Sequence, residues 1–151
     1  MTKEQYMKEA LIEAEKSIEK DEVPIGAIIV YEGKIIARAH NLRNTNKSTL
    51  AHAEILAIEE AAKVVGDWRL EECEMYVTLE PCIMCAGAIL QSRMKKVYFG
   101  AKSAKFGAVG SIINIFKVEN FNHKVEVESG ILEKESAKLL KEFFGKIRAG
   151  E

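Results

Sequence analysis

Met75-Tyr76-Val77-Thr78-Leu79-Glu80-Pro81-Cys82-Ile83-Met84-Cys85 is an apolar run that meets a proline and then two cysteines three residues apart. Met75 to Leu79 has the length and composition of a strand. Pro81 has no amide hydrogen to leave unpaired and so suits the first turn of a helix, which makes the whole stretch a strand leading into a helix. Cys82 and Cys85 then share one helical face, close to a terminus whose partial positive charge favours thiolate over thiol. A second helix start is written at His52-Ala53-Glu54. On a regular helix, residues two apart point to nearly opposite sides, so an imidazole and a carboxylate that serve one centre belong at a helix start. Ile55, Leu56, Ile58, Ala61, Ala62 and Val65 continue at helical spacing, which predicts a helix from about Ala51 to Val65, ended by Gly66.

Together the two helix starts supply one imidazole, two thiolates and a carboxylate. Structural zinc sites are usually closed by four ligands, whereas catalytic ones leave one tetrahedral position for water. His52, Cys82 and Cys85 make three. The third cysteine, Cys73, lies outside both motifs, and His40 and His123 stand alone. Taken singly, a histidine at a helix start is more often a cap, and a C-x-x-C pair can be a redox couple or half of a structural clasp. Taken together, with Glu54 as a carboxylate that is not a ligand, they match H-x-E followed by P-C-x-x-C, the signature of zinc enzymes that remove amino groups from nucleobases.

The rest of the chain frames this centre. With 48% hydrophobic and 30% charged residues in 151, it suits one soluble domain with a proper core. Tyr6, Ala10, Leu11, Ala14 and Ile18 recur between charges on one helical face, so the segment Met1 to Lys20 reads as a helix, neither signal peptide nor membrane span. A cytoplasmic location and reduced cysteines are expected. Ile25 to Val30 and Lys34 to Ala39 read as strands joined by a tight hairpin at Glu32-Gly33. Lys96 to Phe99 and Val125 to Glu128 read as further strands, and Ile131 to Arg148 as a closing helix. Alternating strands and helices predict an α/β chain, a three-layer α/β/α sandwich around a five-stranded mixed sheet.

The segments Val23-Pro24-Ile25-Gly26-Ala27, Ala39-His40-Asn41, Ala51-His52-Ala53-Glu54, Val77-Thr78-Leu79-Glu80-Pro81-Cys82-Ile83-Met84-Cys85-Ala86-Gly87 and Phe121-Asn122-His123-Lys124 resemble the bacterial TadA family of tRNA-specific adenosine deaminases, over nearly the whole chain. The resemblance implies the cytidine deaminase fold in a single zinc deaminase domain over 1–151, a homodimer, and conversion of adenosine to inosine at the wobble position of an arginine tRNA anticodon. It implies one Zn2+ per subunit on His52, Cys82 and Cys85, with Glu54 as the proton shuttle. Asn41 and Asn122 resemble positions that contact the flipped base or its neighbours, Pro81 belongs to the same substrate-binding set, and Arg148 lies where members have a basic residue in the last helix. The resemblance departs at Ser103, where many bacterial members have an acidic residue in a loop that touches RNA; a serine hydroxyl there can still meet a ribose hydroxyl or phosphate.

The net charge of -1 gives no overall basic signature for a nucleic acid partner. Its distribution is uneven: Met1 to Leu90 holds 10 Lys or Arg against 16 Asp or Glu, and Gln91 to Glu151 holds 12 against 7. Lys102, Lys105, Lys124, Lys146 and Arg148 are therefore candidates to meet phosphates, and Phe106 to stack on a base; the blander reading makes the lysines a solvated face and Phe106 core. Trp68 is expected to be a packing anchor or interface residue. Two other functions share features with the leading one. A deaminase of a free base or nucleoside (guanine, cytosine or cytidine) would use the same zinc motifs without the basic half, and a noncatalytic zinc-stabilised RNA-binding domain would need no Glu54.

Overall fold

A computed structural model describes residues 1–150. The elements are α1 (Lys3–Ile18), β1 (Gly26–Tyr31), β2 (Lys34–His40), α2 (Ala53–Val65), β3 (Glu74–Leu79), α3 (Ile83–Gln91), β4 (Lys96–Ala101), a short 3-10 helix (Ile115–Lys117), β5 (Glu126–Ser129) and α4 (Glu133–Arg148). The strands form one five-stranded sheet in the order β2-β1-β3-β4-β5. β1 runs antiparallel to both β2 and β3, while β3, β4 and β5 are mutually parallel, so the sheet is mixed as the alternation implied.

Strand parity divides the sheet into two faces. Ala27 and Ile29 of β1, Met75 and Val77 of β3, and Val97 and Phe99 of β4 pack against α2 and α3 in the larger core. The intervening Ile28, Val30, Tyr76 and Tyr98 point the other way, toward α1 and the start of α4. A strand buried on both faces reads as a continuous apolar run, which is why Gly26–Tyr31 shows no polar alternation. Gly26 also lets α1 lie close on the sheet: a side chain there would run into the Ala10 carbonyl. The β1–β2 turn needs positive φ at both central residues, 50° at Glu32 and 77° at Gly33, the backbone that a two-residue hairpin favours.

Several boundaries differ from the sequence reading. α1 buries Tyr6, Met7, Ala10, Glu13, Ala14 and Ser17, so its inner stripe is turned from the expected one, and Leu11 and Ile18 are only half-buried. α2 begins at Ala53 rather than Ala51, because His52 keeps extended backbone (φ -78°, ψ 150°) as the cap. Pro81 lies before α3 rather than in its first turn, since Cys82 is likewise an extended cap residue (φ -76°, ψ 175°). Phe106 is 73% exposed and not core, and Trp68 is 56% exposed, with Arg69 and Arg93 guanidinium groups 4.9 and 5.7 Å from its ring centre. Trp68 therefore lies outside the core, and these arginines meet its ring at the surface. No helix among the described residues is long and apolar enough to cross a membrane.

Candidate active site

The two helix starts meet on the larger-core face of the sheet. His52 caps α2 and its carbonyl accepts from the Leu56 amide (3.0 Å); Cys82 caps α3 and its carbonyl accepts from the Ala86 amide (2.8 Å). Neither side chain is spent on capping its own helix, which leaves the imidazole and the thiol free to face each other. Alanines make the approach of these helices possible: Ala53, Ala57, Ala61 and Ala86 are buried in the shared core, where bulkier side chains would hold the helices apart. His52 Nδ1 lies 3.8 Å from Cys82 Sγ and 3.5 Å from Cys85 Sγ. All three potential ligand atoms fall within 4.8 Å of one another, and they are the one such group of His, Cys, Asp or Glu among the described residues.

Electrostatics make this a cation site in kind. The Cys85 thiol donates to the Cys82 sulfur and, with help from His52, holds Cys82 down to about 4 despite its burial. The same hydrogen bond, reinforced by burial, drives Cys85 far above the ordinary thiol range. Two sulfurs thus contend for one proton beside an imidazole. A divalent cation that accepts nitrogen and sulfur ligands resolves that contest by letting both sulfurs be thiolates, the donor set of three-ligand catalytic zinc. Glu54 is buried at the second position of α2, and its removal from water pushes the carboxyl up to about 7, with the Cys82 charge adding to the rise and the His52 charge opposing it. A carboxyl poised near neutrality can both take and give a proton.

The substrate-binding candidates fall into two groups. Asn41 directly follows β2 and is buried beside the His52 segment, since the next residue's amide, Leu42, donates to the Ala51 carbonyl (3.0 Å). Its own amide group is engaged locally, Nδ2 donating to the Val23 carbonyl (3.4 Å) and Oδ1 accepting from the Arg43 amide (3.2 Å). Pro81 adjoins Cys82 and its carbonyl accepts from Ala108 (3.0 Å), which brings the loop carrying Ser103, Lys105 and Phe106 to the same end of the sheet. Lys102, Lys105 and Phe106 are exposed there. Asn122 and Arg148 are exposed elsewhere, before β5 and in the last turn of α4, and neither makes a hydrogen bond or ion pair to the cluster among the described residues. His40 faces Glu13 (3.4 Å) and His123 faces the Met94 carbonyl (2.6 Å), so both histidines are engaged away from the centre. Cys73 is buried core, its thiol pushed up to about 11 by burial.

Across residues 1–148 the chain matches the model of the MafB19-like deaminase family. It is 56% identical over 145 residues to a tRNA-specific adenosine deaminase of Bacillus subtilis, covering 96% of this chain and 90% of the relative. The chain belongs to the tRNA-specific adenosine deaminase family. A solved structure from work on A-to-I editing by tRNA:A34 deaminases superposes on this deaminase with a TM-score of 0.87 at 44% identity, covering 90% of this chain and all but 1% of the other, which is 99% covered. A guanine deaminase of Bacillus subtilis is 38% identical with a TM-score of 0.66, covering 71% of this chain and 72% of the other.

Sequence reasoning missed two buried acids that organise the deaminase's loops. Glu22 accepts from the Asn44 amide (3.1 Å), the Thr45 amide (2.6 Å) and the Thr45 hydroxyl (2.7 Å), which pins the turn after Asn41. Glu80 does the same for the loop after β4. The available signal was an acid placed directly between an apolar strand and the Pro81-Cys82 pair, a poor place for a charge without partners.

Proposed function

We propose that this deaminase converts adenosine to inosine at the wobble position of a tRNA anticodon, of the arginine tRNA type, with one zinc ion per subunit held by His52, Cys82 and Cys85. The observation that carries this reading is the convergence of an imidazole nitrogen and two sulfurs on one point, with a buried carboxyl at the same helix start. The zinc would supply a water acidic enough to be deprotonated near neutral pH. Glu54 takes one proton from that water as the oxygen bonds to C6 of adenine and hands it to the ring nitrogen. It then takes the second proton from the same oxygen and hands it to the amino group, which leaves as ammonia as the C–N bond breaks and the C6 carbonyl forms. One water is consumed for each ammonia released, and the ring keeps a carbonyl in place of the amine.

RNA as substrate is supported by the names of the relatives and by the exposed Lys102, Lys105 and Phe106 on a loop tethered beside Cys82. Lysines there meet phosphates and the phenyl ring offers a stacking face to a base. In this reading Asn41, Pro81 and Ser103 line the pocket for the extruded nucleotide, and the exposed Asn122 and Arg148 meet the RNA outside it. The chain acts as a single domain over 1–151, in the cytoplasm, as a homodimer; the exposed Ile83, Ile112, Ile113 and Val118 are apolar surface that a second copy would cover. A free-base substrate is the second reading, favoured by the guanine deaminase likeness.

The test incubates the zinc-loaded protein with an arginine tRNA anticodon stem-loop bearing a wobble adenosine, and in parallel with free adenosine, guanine, cytosine and cytidine, reading inosine and ammonia. Inosine at the wobble position, with the small substrates untouched, is expected. Turnover of a small substrate with an unchanged stem-loop would overturn the RNA reading, and ammonia from none would overturn the catalytic one.

A further inference from the structure

Glu80 is 3% exposed, and its carboxylate is saturated by one loop. Oε1 accepts from the Ser103 amide (3.1 Å), Oε2 accepts from the Val109 amide (2.9 Å) and the Ser111 amide (3.1 Å), and the Ser111 hydroxyl donates to Oε1 as well. These donors come from both ends of the segment 103–111. The segment carries Lys105 and Phe106 outward between its tethered ends. Gly107 lies against the same carboxylate: a Cβ there would sit 2.5 Å from Glu80 Cδ, so the loop and the acid are fitted without room for a side chain. On its other side Glu80 continues directly into Pro81 and Cys82, and its own amide donates to the Ala101 carbonyl (2.8 Å), just before the loop begins.

Burial of a carboxylate is costly unless its lone pairs are filled, and here every partner comes from the loop's own backbone and one of its serines. Nothing in the chemistry of the helix starts requires that acid. Its effect is to fix a surface loop to the strand end that presents the metal-ligand cysteine. We infer that Glu80 is a positioning residue for substrate, which sets the register of the loop bearing Lys105 and Phe106 relative to the centre at Cys82, so that a nucleotide stacked on that loop reaches the reacting position. This rests on the RNA reading given above. Precise placement of a bound substrate governs turnover and affinity steeply, and a loop released from four donors to one anion loses that placement.

The test compares wild type with Glu80→Gln, Ser111→Ala and Gly107→Ala. Glu80→Gln keeps one acceptor oxygen and turns an NH2 toward the loop's donors, Ser111→Ala removes one donor, and Gly107→Ala pushes into the carboxylate. Each purified zinc-loaded protein is assayed for bound zinc, for affinity for the stem-loop by fluorescence anisotropy, and for KM and kcat on it. The expected result is a stem-loop KM and Kd raised about tenfold in Glu80→Gln and Gly107→Ala and a few-fold in Ser111→Ala, with zinc at one per chain. A shared loss of zinc with unchanged affinity would assign Glu80 to the metal centre and overturn the inference; unchanged KM and Kd in all folded variants would overturn it too. If Glu80→Gln does not fold, the other two variants decide by the same criteria. Wild type that leaves the stem-loop unedited would instead sink the RNA reading, which separates the two failures.

Discussion

The two faces of the sheet are built from the same strands by different means. Toward α2 and α3 the helices come in on alanines, and the cap residues of both helices are left free to form the His52, Cys82 and Cys85 cluster. Toward α1 and α4 the space is filled by large side chains: Tyr76 stacks on Tyr98 with ring centres 4.2 Å apart, Tyr6 leans on Tyr76 at 5.1 Å, and Met7 and Ile28 are fully buried. Ion pairs then close that face, Arg38 with Glu9 and Glu13, and Glu128 with Lys3 and Lys96. One face thus keeps polar groups reactive by holding them close and underpaired, and the other keeps them quiet by pairing them. The contrast assigns chemistry to the first face and stability to the second, and each assignment can be broken separately.

The largest effect is expected at Glu54. Glu54→Gln should lower turnover by about a thousandfold or more while zinc stays bound, since the amide cannot shuttle a proton; ammonia release and metal content measured on the same sample check it. Stripping zinc with a chelator should abolish turnover and also lower the melting temperature, because a ligand bound to the folded state alone stabilises it. If Glu54→Gln kept near wild-type rate, the reactive face would have been misread.

Met7→Ala acts on the other face. It removes a fully buried side chain under α1 and should cost about 2–5 kcal/mol by denaturant unfolding, with kcat per folded molecule preserved. A large drop in kcat at full folding would mean that the two faces are coupled through the sheet.

The smallest effect is a pH dependence. Burial works to raise the Glu13 carboxyl, but hydrogen bonds from Lys16 and His40 and the nearby Lys16 and Arg38 charges outweigh it, so the folded value lies below the ordinary 4.5. The unfolded chain therefore binds the proton first, and the stabilisation from Glu13 is present above about 4.5 and lost as pH falls through the lower folded value. Melting temperature followed from pH 7 downward should fall below that point, and Glu13→Gln should flatten part of the fall. An unaltered acid profile in the variant would remove Glu13 from the ion-pair account.

Much of the reactive face was legible in the chain. His52-Ala53-Glu54 and Pro81-Cys82-Ile83-Met84-Cys85 announce ligands by type and spacing, and Gly66 marks the end of α2, where it adopts φ 80°. The quiet face was harder to read. α1 presents Glu13 and Ser17 inward because Arg38, His40 and the Asn41 carbonyl, all distant in sequence, are there to satisfy them. Periodicity counts such residues as polar and turns the helix stripe away from them. Phe106 and Trp68 each carried two readings, base stacking or core for the first and packing anchor or interface for the second, because an aromatic residue alone does not say whether the chain has anything to pack against it; both are exposed.

What the sequence determined by itself is local: which residues can bind a cation, which can carry a proton, and where strands and helices alternate, because side-chain chemistry and backbone preference act over a few residues. The tertiary structure decided what is shared between distant segments. It placed His52 against two sulfurs 30 and 33 residues away, made cap residues of His52 and Cys82 instead of helix interior, and used the buried Glu22 and Glu80 to fasten the two loops beside the centre. The distances within the cluster, the caps and the two loop fastenings depend on desolvation and on partners that only folding brings within hydrogen-bond reach; spacing announced the ligand set but not these.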